Sequence, residues 1–247
     1  MAGHLHASWK ALRMLAHVLQ GMWTVAWRFP KLDALQQQAA VQRWSNQLLH
    51  KAGIALEVHG QPAPQGPVLL VANHISWLDI PVMHAARFCR FVSKDDVRSW
   101  PLIGPLATAA GTLYISRNSR RDARRMVQTM AQSLEQGDVL AVFPEGTTGD
   151  GLSLLPFHSN LLQSAVEADA AVQPVALRFV GADQQVSVAP SYAGDTSLLT
   201  SIWRTLRADG LVAQVHYGAM EWPQGRDRRK LSADIRQRIA EMAQLPA

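Results

Sequence analysis

After about residue 53, short apolar runs alternate with helical stretches along the chain. This alternation is typical of an α/β domain in which helices cover a mainly parallel sheet. The clearest helical stretch has its apolar residues on one face between Ala123 and Leu134, and Gly137 follows as a stop signal. We predict strands over residues 54–58, 68–72, 88–93, 112–115, 139–143, 172–179, 186–189 and 211–217.

The first fifty residues have the pattern of two amphipathic helices. The first ends at Pro30 and carries one narrow polar stripe, made of Lys10, Arg13, His17, Gln20, Thr24 and Arg28. Its remaining surface includes Leu12, Leu15, Leu19, Met22, Trp23 and Trp27. The second helix spans about residues 32–51. Apolar faces usually pack on a core, but a broad arc with Trp, Lys and Arg at its margins suits a membrane interface. We predict a two-helix membrane-docking element at 1–50 and an α/β domain at 51–247.

Composition narrows the class of protein. The 247 residues include 24 Lys and Arg against 19 Asp and Glu, and this excess favours anionic partners such as nucleic acid, acidic lipids or acidic carrier proteins. A single cysteine, Cys89, excludes an internal disulfide framework and a zinc site built from cysteines, which fits a reducing compartment. No signal peptide is predicted, because polar residues interrupt the apolar ones near the start and no small-residue cleavage site follows. No spanning helix is predicted either, because the longest uncharged run, 99–116, is broken by proline and glycine.

The stretch "NHISWLD" places His74 and Asp79 just beyond the predicted strand 68–72. In open α/β sheets, ligands bind at the carboxyl ends of strands. Five residues on a continuous helix correspond to about 140° of rotation, so the two side chains would not meet. Pro81 suits a first helical turn, so the helix begins near 76–79 and a loop histidine can face the aspartate. The pair is then a general base and its orienting carboxylate, or else a capping aspartate beside a surface histidine.

Other chemistry for this pair has less support. A metal site would need His84 or His158 as a third ligand, without a recognisable ligand spacing. A hydrolase would need a nucleophile, and the chain has no G-x-S-x-G; it also has no glycine-rich phosphate loop. If His74 is a base, the nucleophile that it activates therefore belongs to the substrate.

Two further stretches carry polar groups at predicted strand ends. "VFPEGTTGDG" follows the strand 139–143, and its glycines allow close approach of a ligand while Glu145 adds an acceptor; a plain turn is the alternative. "GTLYISRNSR" ends a strand at Arg117, and a basic run follows that includes Arg120, Arg121, Arg124 and Arg125. That run is either a solvated helix face or a surface for anions.

The motifs "NHISWLD", "GTLYISR", "FPEGT" and "VQPVAL" occur in the order and approximate spacing of the four motifs of glycerolipid acyltransferases. From about residue 54 to at least 177, the sequence resembles this family of 1-acylglycerol-3-phosphate and lysophospholipid acyltransferases. The resemblance implies that His74 deprotonates a lysolipid hydroxyl and that Asp79 orients His74. It further implies that Lys94 and Arg117 hold a phosphate, and that Glu145, Gly146 and Thr147 shape the glycerol site.

The resemblance also implies the reaction and its partners. A fatty acyl group would pass from an acyl-carrier-protein or coenzyme A thioester to a lysolipid, with 1-acylglycerol-3-phosphate as the first expectation and phosphatidic acid as product. No metal or redox cofactor would be needed. The enzyme would act as a peripheral or monotopic protein on anionic lipids at the cytoplasmic face of the inner membrane.

One position departs from the family pattern. Enzymes acting on lysophosphatidic acid usually read FPEGTR, whereas this chain has Thr148 in place of the arginine. The loss of a bidentate phosphate partner makes a phosphate-free acceptor such as lyso-ornithine lipid the alternative. A non-catalytic lipid-binding module and a thioesterase are rival classes. Nucleic-acid binding would account for the charge but not for the motifs, so no nucleic-acid partner is predicted.

Overall fold

Seven strands form one sheet in the order β1-β7-β6-β2-β5-β3-β4. The computed structural model describes residues 2–116 and 119–246. Neighbouring strands are parallel except for the antiparallel pair β6 and β7. The strands are β1 Ala55–His59, β2 Val68–Ala72, β3 Arg90–Lys94, β4 Leu113–Ile115, β5 Val139–Val142, β6 Ala171–Val180 and β7 Val212–Tyr217. The predicted α/β class with a mainly parallel sheet is confirmed.

Helices cover both faces of the sheet. They are α1 Ala2–Trp27, α2 Ala34–Ala52, α3 Asp79–Ala86, α4 Ile103–Ala109, α5 Arg120–Glu135, α6 Gln163–Glu167, α7 Leu198–Arg207 and α8 Arg228–Ala243. Alternate side chains of β2 belong to two different hydrophobic clusters. Leu70 and Ala72 pack in the cluster with α1, α2, α3 and α7. Leu69 and Val71 pack in the cluster with α5, α6 and α8. Successive side chains of a strand point to opposite faces, so the two helical layers lie on opposite sides of the sheet.

One predicted strand, 186–189, is wrong. Within this segment only Val186 forms an isolated bridge, to Val180 at the end of β6. Two backbone hydrogen bonds make this bridge, from the N–H of Ser187 to the carbonyl of Phe179 and from the N–H of Gly181 to the carbonyl of Gln185. The chain then turns at Ala189 and Pro190, and proline has no backbone N–H to extend a ladder.

Helix α1 turns part of its polar stripe inward. Lys10 and His17 are buried: the amine of Lys10 donates to the carbonyl of Leu206, and Nε2 of His17 lies 2.9 Å from the carbonyl oxygen of Trp44. The opposite side of the helix consists of apolar residues that are 50–75% exposed, namely Leu5, Trp9, Leu12, Leu15, Leu19, Trp23 and Trp27. Within the described residues, no helix has both the length and the apolar content needed to cross a bilayer.

Candidate active site

His74 and Asp79 face each other across the loop between β2 and α3. Nδ1 of His74 lies 2.7 Å from Oδ2 of Asp79, whose side chain is fully buried. Because an ionised carboxylate only accepts hydrogen bonds, Nδ1 carries the proton and Nε2 keeps a free lone pair. The His74 side chain is 20% exposed, so this lone pair is accessible from outside the protein. The structure therefore brings together the two residues that the sequence singled out as a base and its orienter.

Asp79 also holds the backbone of the loop. Its Oδ2 accepts from the N–H groups of Ile75 and Ser76, at 2.7 and 2.9 Å. The loop starts at Asn73, a buried residue whose side-chain amide exchanges two hydrogen bonds with the backbone of Leu177 on β6. These contacts fix the positions of the imidazole and the carboxylate before any substrate binds. Fixed geometry of this kind is what general-base catalysis requires.

Glu145 supports the same loop from the end of β5. Its Oε1 accepts from the backbone N–H of His74 at 2.7 Å, and its Oε2 accepts from that of Leu155 at 2.8 Å. Burial raises the pKa of Glu145, and the two backbone hydrogen bonds oppose this rise. Sequence reasoning assigned Glu145 to substrate binding, but both of its carboxylate oxygens accept hydrogen bonds from backbone N–H groups of the protein, one of them on the loop of His74.

Two further contacts hold His74 and were not foreseen from the sequence. The imidazole stacks on Phe143, with ring centroids 4.0 Å apart and the planes within 10°. The N–H of Gly149 donates to the carbonyl of His74 at 2.7 Å. An imidazolium formed during a reaction would lie against the electron-rich face of Phe143, which favours that charge. The apolar run ending at Phe143 predicted a strand, but nothing in it indicated this stacking partner.

Gly146, Thr147 and Thr148 form the turn beyond β5. Gly146 has a φ of 71°, a backbone conformation that favours glycine, and its N–H donates to the carbonyl of Phe143. Thr147 is exposed at the rim, whereas the hydroxyl of Thr148 donates to the carbonyl of Tyr192. The backbone N–H groups of Ile75, Ser76 and Gly146 are already bonded within the protein, so they are not free to receive an oxyanion.

The resemblance to the family assigns two cations, Lys94 and Arg117, to phosphate binding. Lys94 is exposed at the end of β3, which pairs with β5, so it lies at the same edge of the sheet as Glu145. Arg117 lies outside the described residues. Within the described residues, no group of three or more His, Cys, Asp or Glu side chains could hold a metal ion. Of the two histidines considered as a third metal ligand, His158 is exposed, and His84 bonds through Nε2 to the carbonyl of Cys89 in a buried site. Burial lowers the pKa of His84 to about 4, which keeps it neutral.

Comparison with known proteins decides the family. A family model described as Acyltransferase matches residues 55–178, which include β1 to β5, most of β6 and the whole loop of His74. The chain belongs to the acyltransferase family. The predicted family and enzyme class are thereby confirmed.

Two relatives of this acyltransferase are named for different acceptors. A lyso-ornithine lipid O-acyltransferase of Pseudomonas aeruginosa is 39% identical over 238 residues, which cover 93% of this chain and 90% of that protein. A 1-acyl-sn-glycerol-3-phosphate acyltransferase of Neisseria gonorrhoeae is 40% identical over 189 residues, covering 75% of this chain and 73% of that protein. The names of these two relatives agree on acyl transfer and differ in the acceptor.

The fold of the acyltransferase also matches a solved structure. The crystal structure of the 1-acyl-sn-glycerophosphate acyltransferase PlsC from Thermotoga maritima superposes with a TM-score of 0.63. The match covers 96% of this chain and 99% of that chain at 16% sequence identity. At this identity the comparison shows the shared fold.

A Glu145→Gln substitution tests whether Glu145 positions the loop of His74. Glutamine offers one carbonyl oxygen, so either His74 or Leu155 loses the acceptor of its N–H. A buried N–H without an acceptor costs about 1–3 kcal/mol, and we expect kcat to fall roughly 5- to 100-fold with KM little changed. A raised pKa means that the Glu145 carboxylate takes up a proton more readily as pH falls. The protonated oxygen is then lost as an acceptor for one of the two backbone N–H groups.

The acid side of the pH–kcat profile should therefore be steeper in the wild type than in Glu145→Gln, which cannot titrate there. The exposed Glu135→Gln on α5 is the matched control. A wild-type kcat with an unchanged profile in Glu145→Gln would show that the loop does not depend on this carboxylate.

Proposed function

We propose that the chain transfers a fatty acyl group from a thioester to the free hydroxyl of a lysolipid. The observation that carries the proposal is the contact between His74 and Asp79, which leaves Nε2 free as a base at an accessible loop. The hydroxyl oxygen attacks the thioester carbonyl carbon while its proton passes to Nε2. The C–S bond then breaks, and the same proton passes to the departing sulfur.

The products are an ester and a free thiol, so this reaction consumes no metal ion or redox cofactor. Asp79 favours the imidazolium that exists between the two proton transfers, because its carboxylate lies 2.7 Å from Nδ1. Stacking on Phe143 favours the same charge. These groups are in place without rearrangement, so the proposed catalysis depends on preorganised positioning and electrostatics.

The proposed acceptor is 1-acylglycerol-3-phosphate, with Lys94 and Arg117 as partners of its phosphate. A second acceptor, a phosphate-free lysolipid such as lyso-ornithine lipid, is favoured by Thr148. The family arginine is absent there, and the threonine hydroxyl is bound to the carbonyl of Tyr192 instead of facing a ligand. The P. aeruginosa relative named for the lyso-ornithine acceptor aligns with 93% of this chain.

A competition assay tests the function and separates the two acceptors. Purified protein receives one acyl thioester and an equimolar mixture of lysophosphatidic acid and lyso-ornithine lipid, and the products are identified by mass spectrometry. Phosphatidic acid as the main product supports the first acceptor. Product from lyso-ornithine lipid alone supports the second, and no acylated lipid from either would reject the proposed transfer.

Helix α1 is proposed to dock the enzyme on a membrane at its cytoplasmic face. Its exposed arc of Leu and Trp side chains points away from the protein, while Lys10 and His17 are used for packing inside. Leaving so many large apolar side chains in water is unfavourable, at roughly 25 cal/mol per Å² of apolar surface. Tryptophan at such a surface suits the boundary between headgroups and acyl chains. The lysolipid would then reach the site from the same membrane.

The double substitution Trp9→Ser and Trp23→Ser tests this docking. Both side chains are 57% exposed, so the fold should tolerate their loss. We expect sedimentation with phospholipid vesicles to weaken at least about tenfold, because two interfacial anchors are removed. Trp222→Ser, which changes a 47% exposed tryptophan in the segment between β7 and α8, is the control. Equal vesicle binding by both variants would contradict the role of α1.

A further inference from the structure

Helix α5 presents a cluster of arginines that the proposed site chemistry does not use. Arg121, Arg124 and Arg125 are exposed, and we name them the α5 arginine surface. We propose that this surface binds an acidic carrier protein that delivers the acyl thioester. The proposal rests on the proposed function and specifies the partner that supplies its donor.

The α5 arginine surface carries uncompensated positive charge. Among the described residues, no carboxylate lies within ion-pair distance of its three guanidinium groups. The nearby Asp122 accepts from the hydroxyl of Ser119, the residue that caps the helix. The inner side of α5 is anchored by buried Met126 and Met130, so the arginines are held on the outer side. A fixed group of like charges attracts an oppositely charged partner and speeds its association.

The position of α5 favours a soluble partner over a membrane. Helix α5 packs in the layer on one side of the sheet, whereas α1 packs in the layer on the other side. If the exposed apolar arc of α1 lies on a bilayer, the sheet separates the α5 arginine surface from that bilayer. The Debye length at physiological salt is about 8 Å, so attraction to the same bilayer would be largely screened across the sheet and its helices.

The α5 arginine surface also lies near the loop of His74. Helix α5 begins at Arg120, shortly after β4 ends at Ile115. Because β4 and β2 run in the same direction, the start of α5 lies at the same edge of the sheet as the loop of His74, which follows β2. Strands β5 and β3 lie between β2 and β4. Three steps between neighbouring strands amount to roughly 14 Å. A carrier bound at the α5 arginine surface would therefore hold its acyl thioester beside the catalytic edge.

Charge reversal tests the proposal with two donors. The double variant Arg121→Glu and Arg124→Glu is compared with Arg228→Glu and Arg229→Glu, which reverses two arginines in the first turn of α8 on the same side of the sheet. Both variants change the net charge equally. The donors carry the same acyl group, on an acyl carrier protein or on N-acetylcysteamine, a small uncharged thiol.

We expect kcat/KM with the carrier-protein donor to fall at least tenfold in the α5 variant and less than twofold in the α8 variant. With the uncharged thioester, both variants should stay within twofold of the wild type, and vesicle binding should be unchanged. Fluorescence anisotropy of the labelled carrier protein measures docking without turnover. If the wild type binds the carrier but transfers no acyl group, the proposed function is wrong, whereas docking of the carrier at the α5 arginine surface is still supported.

Several results would overturn carrier docking. Unchanged kcat/KM and carrier affinity in the α5 variant, or equal losses in both variants, would show that the surface does not select this partner. Equal losses with both donors would indicate damage to the site. Weaker vesicle binding in the α5 variant would show that the arginines contact lipid. A loss with acyl coenzyme A as large as that with the carrier would assign them to coenzyme A phosphates.

Discussion

Replacing His74 by alanine is expected to lower kcat for acyl transfer by about 10²- to 10⁴-fold. Without the imidazole, nothing at the free end of the dyad accepts the hydroxyl proton during attack on the thioester. KM for the lysolipid should change little, because the lost interaction belongs to proton transfer and not to ground-state binding. The measurement is initial-rate acyl transfer at saturating donor with varied lysolipid.

The His74→Ala protein must remain folded for this loss to be informative. The substitution leaves the backbone bonds of residue 74 to Glu145 and Gly149 available, so the melting temperature should stay close to that of the wild type. His59→Ala, at an exposed position on β1, is the matched control and should keep full activity. Near wild-type turnover by folded His74→Ala would remove His74 from the mechanism.

Asp79→Asn is expected to lower kcat by about 10²- to 10³-fold while preserving the loop. The N–H groups of Ile75 and Ser76 both point at Oδ2, so they select the amide oxygen of asparagine for that position. The Nδ1–H of His74 then keeps an acceptor, and the tautomer is unchanged. What is lost is the negative charge beside the imidazolium, worth about 4 kcal/mol at 4 Å for an effective dielectric constant of about 20.

Asp79→Ala separates charge from geometry. It removes the acceptor of two loop N–H groups and of the imidazole, so both the melting temperature and kcat should fall further than in Asp79→Asn. Thermal unfolding and kcat are measured for the two variants together. If Asp79→Asn were as destabilised as Asp79→Ala, the amide would not be taking over the backbone hydrogen bonds, and the assignment of its loss to charge would fail.

The sequence could predict the dyad because its members are close in the chain. A strand end, a five-residue separation and Pro81 together restrict the backbone enough to let His74 meet Asp79. The contact between Glu145 and His74 spans 71 positions and depends on β2 and β5 being neighbours in the sheet. Periodicity predicts strands but does not give their order, so the role of Glu145 in the loop appears only in the structure.

The first helix shows a second limit of sequence reasoning. Its periodicity separated a polar stripe from an apolar arc, but periodicity alone does not say which side packs inward. The structure buries Lys10 and His17 through partners on α7 and α2 and leaves Trp9 and Trp23 outside. Small residues on the inner side, such as Ala7 and Gly21, allow this close packing. Assignment of residues 1–50 to membrane docking stays a prediction.

The fate of the acyl group in the wild-type enzyme tests most directly whether the acyl group passes to a lysolipid or to water. A thioester with an isotopically labelled acyl chain is supplied with and without lysolipid, and mass spectrometry quantifies acylated lipid, free thiol and free fatty acid. We expect acylated lipid and thiol in equal amounts, with little fatty acid and no thiol release when lysolipid is absent. Release of fatty acid at the same rate without lysolipid would mean that water is the acceptor and that the enzyme is a thioesterase.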